Sequence, residues 1–189
     1  MRLFVGVEID DVVRRRAAAI ADAAGKLLSD DLVVRWIAPE NLHITLWFLG
    51  EVPDPRAASV LTALARPFDI PPFPLALGGI GAFPSSGLPR VVWLGVRDGD
   101  AGLAALHREI GARLEPLGFA AEPRPFAAHL TLGRVKGARP GTAPRAVRER
   151  WRELAADAGE CAVAAVTVFR SRLSPRGAVH EALLRVPLQ

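Results

Sequence analysis

One four-residue pattern occurs twice in the chain, as His43-Ile44-Thr45-Leu46 and as His129-Leu130-Thr131-Leu132. In both copies a polar side chain alternates with an aliphatic one, and in a β-strand this spacing places the histidine and the threonine on one face. The chain has four histidines, and two of them begin this pattern. The repetition therefore predicts two related strands, each with a polar face that carries an imidazole and a hydroxyl group.

Length and composition fit one globular domain. Half of the 189 residues are hydrophobic, which is enough for one sizeable core or for two small lobes that share one. The net charge of +4 permits a partner that carries phosphates, although such a charge is also common in proteins that bind no nucleic acid.

Several features of the sequence favour a cytoplasmic protein. Cys161 is the only cysteine, which excludes an intramolecular disulfide and favours a reducing compartment. The N-terminal segment has no signal-peptide pattern, and no apolar run approaches the roughly 20 residues that a membrane span requires. We therefore expect a cytoplasmic protein with no membrane association. We also expect it to be a monomer.

Hydrophobic periodicity along the chain predicts alternating strands and helices. Besides the two histidine segments, strands are expected at residues 2–9, 33–36, twice between 73 and 96, at about 161–170 and at about 179–188. Helices are expected at about 11–27, 54–67, 100–117 and 145–157. This order predicts an α+β fold of two similar lobes of antiparallel sheet with flanking helices and a central cleft. No linker suggests independent domains, so residues 1–189 are expected to form a single bilobal catalytic domain.

Two histidines, each with a hydroxyl group two residues further on, suit the chemistry of a phosphodiester. If the two strands face each other across the cleft, a neutral imidazole can accept a proton from the attacking nucleophile while a charged one donates a proton to the leaving oxygen. Both protonation states are accessible because the unperturbed pKa of histidine is about 6.5. Thr45 and Thr131 can donate to the non-bridging phosphate oxygens. These residues alone do not decide which histidine is the acid.

No cofactor is expected for this chemistry. The sequence contains no His-Glu-x-x-His segment, no paired cysteines and no aspartate-rich loop of the kind that binds a metal ion. We therefore predict metal-independent catalysis.

The remaining candidates are weaker. His107 borders the apolar stripe of its predicted helix and is interpreted as a packed structural residue. His180 alternates with apolar residues in the last predicted strand, which favours core packing or a wall of the cleft. Arg170 and Arg172 flank Ser171, and surface charge and phosphate contact are equally compatible with their positions.

At these residues the chain resembles a known family, the RNA 2',3'-cyclic phosphodiesterases, also called 2'-5' RNA ligases, of the two-histidine phosphoesterase superfamily. The resemblance extends over nearly the whole chain. Besides the two His-x-Thr-x motifs, it is carried by residues 2–5, 36–42, 47–50, 81–84, 133–135 and 171–174.

The resemblance implies a bilobal α+β fold that hydrolyses an RNA or nucleoside 2',3'-cyclic phosphate to a 2'-phosphate. It implies that His43 is the proton donor to the leaving 3'-oxygen and that His129 is the proton acceptor that activates water. Thr45 and Thr131 would hold the phosphate, and Arg134 matches a substrate-contacting arginine of the family. Strict alternation from His129 places Arg134 on the opposite face, so we expect a bulge at Gly133 to bring it into the cleft.

Two alternatives to hydrolysis remain open. One is 2'-5' ligation of RNA, which is the reverse transesterification and uses the same two histidines. The other is a non-catalytic module that binds RNA ends carrying a cyclic phosphate or a 2'-phosphate. In each case the expected partner is an RNA end or a cyclic nucleotide.

Overall fold

The structure is a computed structural model that describes residues 1–120, 122–174 and 177–189. Its strands and α-helices alternate along the chain in the following order: β1 (Arg2–Glu8), α1 (Asp11–Leu27), β2 (Leu32–Trp36), β3 (His43–Glu51), α2 (Asp54–Leu64), β4 (Phe73–Phe83), β5 (Val91–Asp98), α3 (Asp100–Leu114), β6 (His129–Ala138), α4 (Pro144–Arg152), β7 (Asp157–Val163), β8 (Ala165–Ser174) and β9 (Gly177–Pro187).

All the strands belong to one antiparallel sheet with the order β7-β4-β5-β6-β3-β1-β8-β9, and β2 pairs with β6 outside this path. At the centre, β3 and β6 pair only through Ile44 and Leu130. The sheet therefore consists of two halves that join at the two histidine strands, and the predicted α+β fold with two lobes is confirmed.

The helices cover one face of the sheet and build the core against it. Asp10 caps α1, since its carboxylate accepts from the backbone N–H of Val13 over 2.8 Å. Buried residues of α1 and α3 pack in the same apolar cluster as alternate residues of β1, among them Leu3, Val5 and Val7. The intervening positions of β1 point to the other face of the sheet, and that face carries the histidine side chains.

One predicted strand, at 161–170, is wrong. The segment contains two strands, β7 and β8, which separate at Ala164, and α4 ends at Arg152 instead of near 157. The chain crosses between the lobes here, because β7 pairs with β4 at one edge of the sheet and β8 pairs with β1. The crossing has no glycine or proline to mark it, so the apolar pattern runs through it without interruption.

Among the described residues, no helix has both the length and the apolar character that crossing a membrane requires.

Candidate active site

The two histidine strands present their polar residues on the face of the sheet away from the helices. Ile44 and Leu130, which follow the two histidines, are both fully buried in the core. Because side chains alternate along a strand, His43 and Thr45 project from the opposite face, as do His129 and Thr131. The pairing of Ile44 with Leu130 brings these two pairs side by side at the junction of the lobes.

A backbone carbonyl fixes the orientation of each imidazole. Nδ1 of His43 lies 2.7 Å from the carbonyl oxygen of Asn41, and Nδ1 of His129 lies 2.7 Å from that of Ala127. A carbonyl oxygen can only accept, so Nδ1 carries the proton in both rings. Nε2 is thereby left as the nitrogen that exchanges protons, and in His43 it accepts from the hydroxyl of Thr45 over 3.0 Å.

An aromatic enclosure surrounds His43. The ring of Phe4 stacks on it at a centroid distance of 4.7 Å, Phe169 lies at 5.7 Å, and His180 approaches edge-on at 5.0 Å. Burial lowers the pKa of His43 to about 4, the carbonyl of Asn41 acts in the opposite direction, and the charge of His180 lowers the pKa a little further. In the free protein His43 is therefore neutral near pH 7.

Asn41 holds two sides of this enclosure together. Its backbone carbonyl orients His43, while its side-chain amide donates to the carbonyl oxygen of Ala178 over 2.7 Å. The backbone N–H of His180 in turn donates to Oδ1 of Asn41 over 3.3 Å. Asn41 therefore ties β9 to the histidine strand β3 and fixes His180 as a wall of the enclosure around His43.

His129 has a more open and more polar environment. Phe83 meets the ring edge-on at 5.1 Å, and Trp93 lies at 6.2 Å. Burial is the main cause that lowers the pKa of His129; the hydrogen bond to Ala127 raises it, and the positive charge of Arg134 lowers it. The charge of Arg134 thus adds to burial in favouring the neutral form of this imidazole.

A bulge in β6 directs Arg134 toward the same face as His129. Along β5, Gly95 pairs with His129, Trp93 with Thr131 and Val91 with Arg134. The three β5 residues are spaced by two and share one face, so their partners also share a face. Leu132 is the extra residue that makes this possible, and the bulge expected at this point of the strand is present.

The same bulge occurs in β3, where it was not predicted from the sequence. Gly6 pairs with Thr45, Val5 with Trp47 and Phe4 with Phe48, so Leu46 is the extra residue. Phe48 consequently projects beside Thr45 and is 61% exposed. A comparison of the two repeats beyond their fourth residue would have found it, because Phe48 in β3 corresponds to Arg134 in β6.

The other candidates lie outside the face that carries His43 and His129. His107 packs between Trp47 and Phe126, at centroid distances of 4.9 and 4.4 Å, as its structural interpretation requires. Arg170 and Arg172 form ion pairs with Glu181 at 2.5 and 3.5 Å. Within the described part of the chain, no group of three or more His, Cys, Asp or Glu side chains is arranged to hold a metal ion.

Comparisons with known proteins agree with this architecture. An RNA 2',3'-cyclic phosphodiesterase from Archaeoglobus fulgidus is 39% identical over 183 residues, which cover 97% of this chain and 98% of that protein. The crystal structure of a protein from Thermus thermophilus matches with a TM-score of 0.77 and 30% identity, over 100% of this chain and 98% of the other. The crystal structure of Escherichia coli LigT complexed with 3'-AMP matches with a TM-score of 0.74 and 27% identity, again over 100% and 98%.

The model of the 2'-5' RNA ligase superfamily matches residues 9–174. This match confirms the resemblance seen in the sequence, and the chain belongs to the 2'-5' RNA ligase superfamily.

Proposed function

We propose that this protein hydrolyses RNA 2',3'-cyclic phosphate ends to 2'-phosphates, with His43 as the proton donor and His129 as the proton acceptor. The observation that carries the proposal is the pair of imidazoles on adjoining strands, each with Nδ1 bound to a backbone carbonyl so that Nε2 is left to exchange protons. The name of the Archaeoglobus fulgidus relative, an RNA 2',3'-cyclic phosphodiesterase, supports the choice of substrate.

The reaction needs one proton removed and one supplied. Nε2 of His129 takes a proton from water as its oxygen attacks phosphorus, the bond from phosphorus to the 3'-oxygen breaks, and Nε2 of His43 protonates that oxygen. The hydroxyls of Thr45 and Thr131 donate to the non-bridging oxygens, where negative charge accumulates. Arg134 adds a positive charge on the same face.

In the free protein, burial and nearby charge favour the neutral form of both histidines, which suits His129 as the base and requires His43 to gain its proton when the substrate binds. A base must be neutral, and the charge of Arg134 favours the neutral form of His129 because it lowers the pKa of that ring. An acid must be charged, and the free protein holds the pKa of His43 at about 4. A bound phosphodiester places negative charge beside the imidazole, which raises this pKa. Protonated Nε2 no longer accepts from Thr45, whose hydroxyl is then free to donate to the phosphate.

Ligation is the second candidate, because the matching family model carries the name of the 2'-5' RNA ligases. The 5'-hydroxyl of a second RNA would replace water as the nucleophile, the bond from phosphorus to the 3'-oxygen would break, and a 2'-5' phosphodiester would form. The same two histidines would serve in the same roles, with His129 taking the proton of the 5'-hydroxyl and His43 protonating the 3'-oxygen.

We further propose that the protein acts as a metal-independent monomer in the cytoplasm, with residues 1–189 as one bilobal catalytic domain. Both histidine strands come from the same chain and meet in one sheet, so no second subunit is needed to complete the site. Size-exclusion chromatography with light scattering tests the monomer, since a stable dimer would have twice the mass of 20.2 kDa.

The first experiment is incubation of the purified protein, in EDTA, with each nucleoside 2',3'-cyclic phosphate and identification of the product by phosphorus NMR. We expect the 2'-phosphate, with turnover at least about a hundredfold lower in His43→Ala and in His129→Ala. His107→Gln is the matched control, because this histidine packs on the helix-covered side of the sheet.

Each other outcome of this experiment contradicts a different part of the proposal. Formation of the 3'-phosphate would retain the acid–base pair but reverse the leaving group. Loss of activity in EDTA, restored by a divalent cation, would contradict metal independence. Tight binding of the 2'-phosphate without any turnover would leave a binding module, and a 2'-5' joined product with a 5'-hydroxyl RNA would add ligation.

A further inference from the structure

A second arginine lies on the same face of the sheet as Arg134, in the neighbouring strand β2. In the ladder between β2 and β6, Arg35 is directly opposite Arg134. The neighbours of Arg35 face the core, since Val34 and Trp36 occupy the space above Gly133, which has no side chain. Arg35 therefore shares the face of Arg134 and of His129, and both arginines are exposed.

This pair places like charges opposite each other, which destabilises an isolated sheet. Within residues 1–120, 122–174 and 177–189, neither guanidinium forms an ion pair with a carboxylate. Some arginines elsewhere on the surface do have such partners, as Arg150 has in Asp31 and Arg170 in Glu181. An anion bound between Arg35 and Arg134 would offset the repulsion.

The ladder places this anion beyond the catalytic phosphate. Thr131 pairs with Trp93 and Arg134 with Val91, so Arg134 lies two β5 residues, about 7 Å, further along the strand. Arg35 stands level with Arg134 and about 4.8 Å to its side, on the edge of β6 that also pairs with β3. Arg35 is therefore displaced from the two histidines along the strands and not away from the strand that carries His43.

We propose that Arg35 and Arg134 bind a second phosphate, the one on the 5' side of the terminal nucleoside. This proposal rests on the proposed function and adds a second point of recognition on the RNA end. Two guanidinium groups can grip a phosphate through paired N–H donors, which is the recognition that arginine provides better than lysine. A strand of RNA supplies such a phosphate, and a nucleoside 2',3'-cyclic phosphate does not.

The test compares kcat/KM for three substrates: a nucleoside 2',3'-cyclic phosphate, the same compound with a 5'-phosphate, and a dinucleotide that ends in the cyclic phosphate. We expect the second and third to exceed the first. In Arg35→Gln the ratio of dinucleotide to mononucleotide should fall about tenfold, with Arg35→Lys intermediate. Arg66→Gln is the control, since this exposed arginine follows α2 and, among the residues that the structure describes, its side chain has no ion-pair partner, while its backbone carbonyl accepts from Arg113.

Salt dependence distinguishes a phosphate contact from a structural role. For the dinucleotide, the slope of log kcat/KM against log salt concentration should be shallower by about 0.7 in Arg35→Gln than in the unmodified protein. Arg66→Gln should keep the slope of the unmodified protein.

Several results would overturn the inference. Equal losses on all three substrates in Arg35→Gln would place Arg35 at the catalytic phosphate. No preference of the unmodified protein for the longer substrates would remove the second phosphate, and a gain from the dinucleotide without a gain from the 5'-phosphate would assign the effect to the added nucleoside. Turnover of the mononucleotide tests the proposed function separately. If no substrate is turned over, the affinities of a 2'-phosphorylated dinucleotide and of a nucleoside 2'-phosphate in the same variants decide the question.

Discussion

The strands β3 and β6 share one backbone design and differ in what surrounds the histidine. Each begins with His-x-Thr-Leu, holds Nδ1 of the imidazole with the carbonyl two residues earlier, and has its bulge at the same place. After the bulge, β3 presents the exposed ring of Phe48 and β6 presents the guanidinium of Arg134. His43 is enclosed by aromatic rings, whereas His129 lies more openly beside a cation.

This comparison shows that a repeated strand can hold two histidines by the same backbone contact, although we propose opposite roles for them. The carbonyl two residues earlier fixes Nδ1 in both strands. Burial and charge decide the protonation state, and they come from different neighbours. The proposed acid and base therefore share a backbone anchor and differ in their environment.

The largest predicted effect is the loss of turnover when either histidine is replaced. A substrate whose leaving group needs no proton then distinguishes the acid from the base. On a nucleoside 2',3'-cyclic phosphate, His43→Ala and His129→Ala should each lose at least about a hundredfold in turnover. On an aryl phosphodiester, which releases a stable phenolate, His43→Ala should regain most of that loss and His129→Ala should not. Steady-state rates of both variants on both substrates measure this. Recovery of His129→Ala instead would exchange the two roles.

The residue at the bulge offers a second contrast, since Trp47 and Gly133 occupy the same position of the two repeats. The indole of Trp47 is buried against Gly111 of α3, whereas Gly133 leaves room for Val34 and Trp36. Trp47→Ala should lower the free energy of unfolding by about 3–5 kcal/mol because it opens a cavity. Gly133→Ala should lower it by about 1–3 kcal/mol, because the added methyl group would lie 2.8 Å from Val34.

Urea denaturation with equal m-values measures both changes. Thermal unfolding of His107→Gln serves as a reference for a mild change at the same helix interface. If Gly133→Ala is as stable as the unmodified protein, β2 can move away without cost, and the position of Arg35 is then less constrained than the ladder indicates.

The features that the sequence predicted are the local ones. Alternation around His43 and His129 depends only on neighbouring residues, and the α+β order follows from periodicity within each segment. The bulge at Gly133 was predicted because strict alternation would place Arg134 on the face opposite His129. Phe48 was not a predicted site residue, so the bulge in β3 was not predicted.

Long-range pairing explains what the sequence did not predict. Phe4, Phe169 and His180 enclose His43 because β1, β8 and β9 lie together, and no local pattern specifies that order. The pairing of Arg35 with Arg134 is also a long-range contact that no local pattern specifies. The division between β7 and β8 was not predicted because the apolar pattern continues across Ala164. The two strands differ only in their partners, which belong to different lobes.

A smaller effect separates the two residues that follow the bulges. Arg134→Gln removes a positive charge that lowers the pKa of His129, so this pKa should rise and the acidic limb of the profile of kcat/KM against pH should move to higher pH. Phe48→Ala should leave that limb in place and raise KM about tenfold, because an exposed ring beside the site can stack on a base. An unmoved limb in Arg134→Gln would show that the cation does not act on the base.

The smallest predicted effects are on folding stability and on the pKa of His43, and both can be measured without any reaction. The pKa of His43 is about 4 in the folded protein, against the usual 6.5. Between these pH values the unfolded chain binds a proton that the folded protein does not bind. The free energy of unfolding should therefore fall as the pH falls through this range. An anion in the site should oppose this, because it favours the charged imidazole. In an NMR titration, the pKa of His43 should rise by about one unit in sulfate, which stays fully ionised throughout. His107, on the helix-covered side, should not respond, and an unchanged His43 would mean that the proposed acid does not gain its proton from the charge of the substrate.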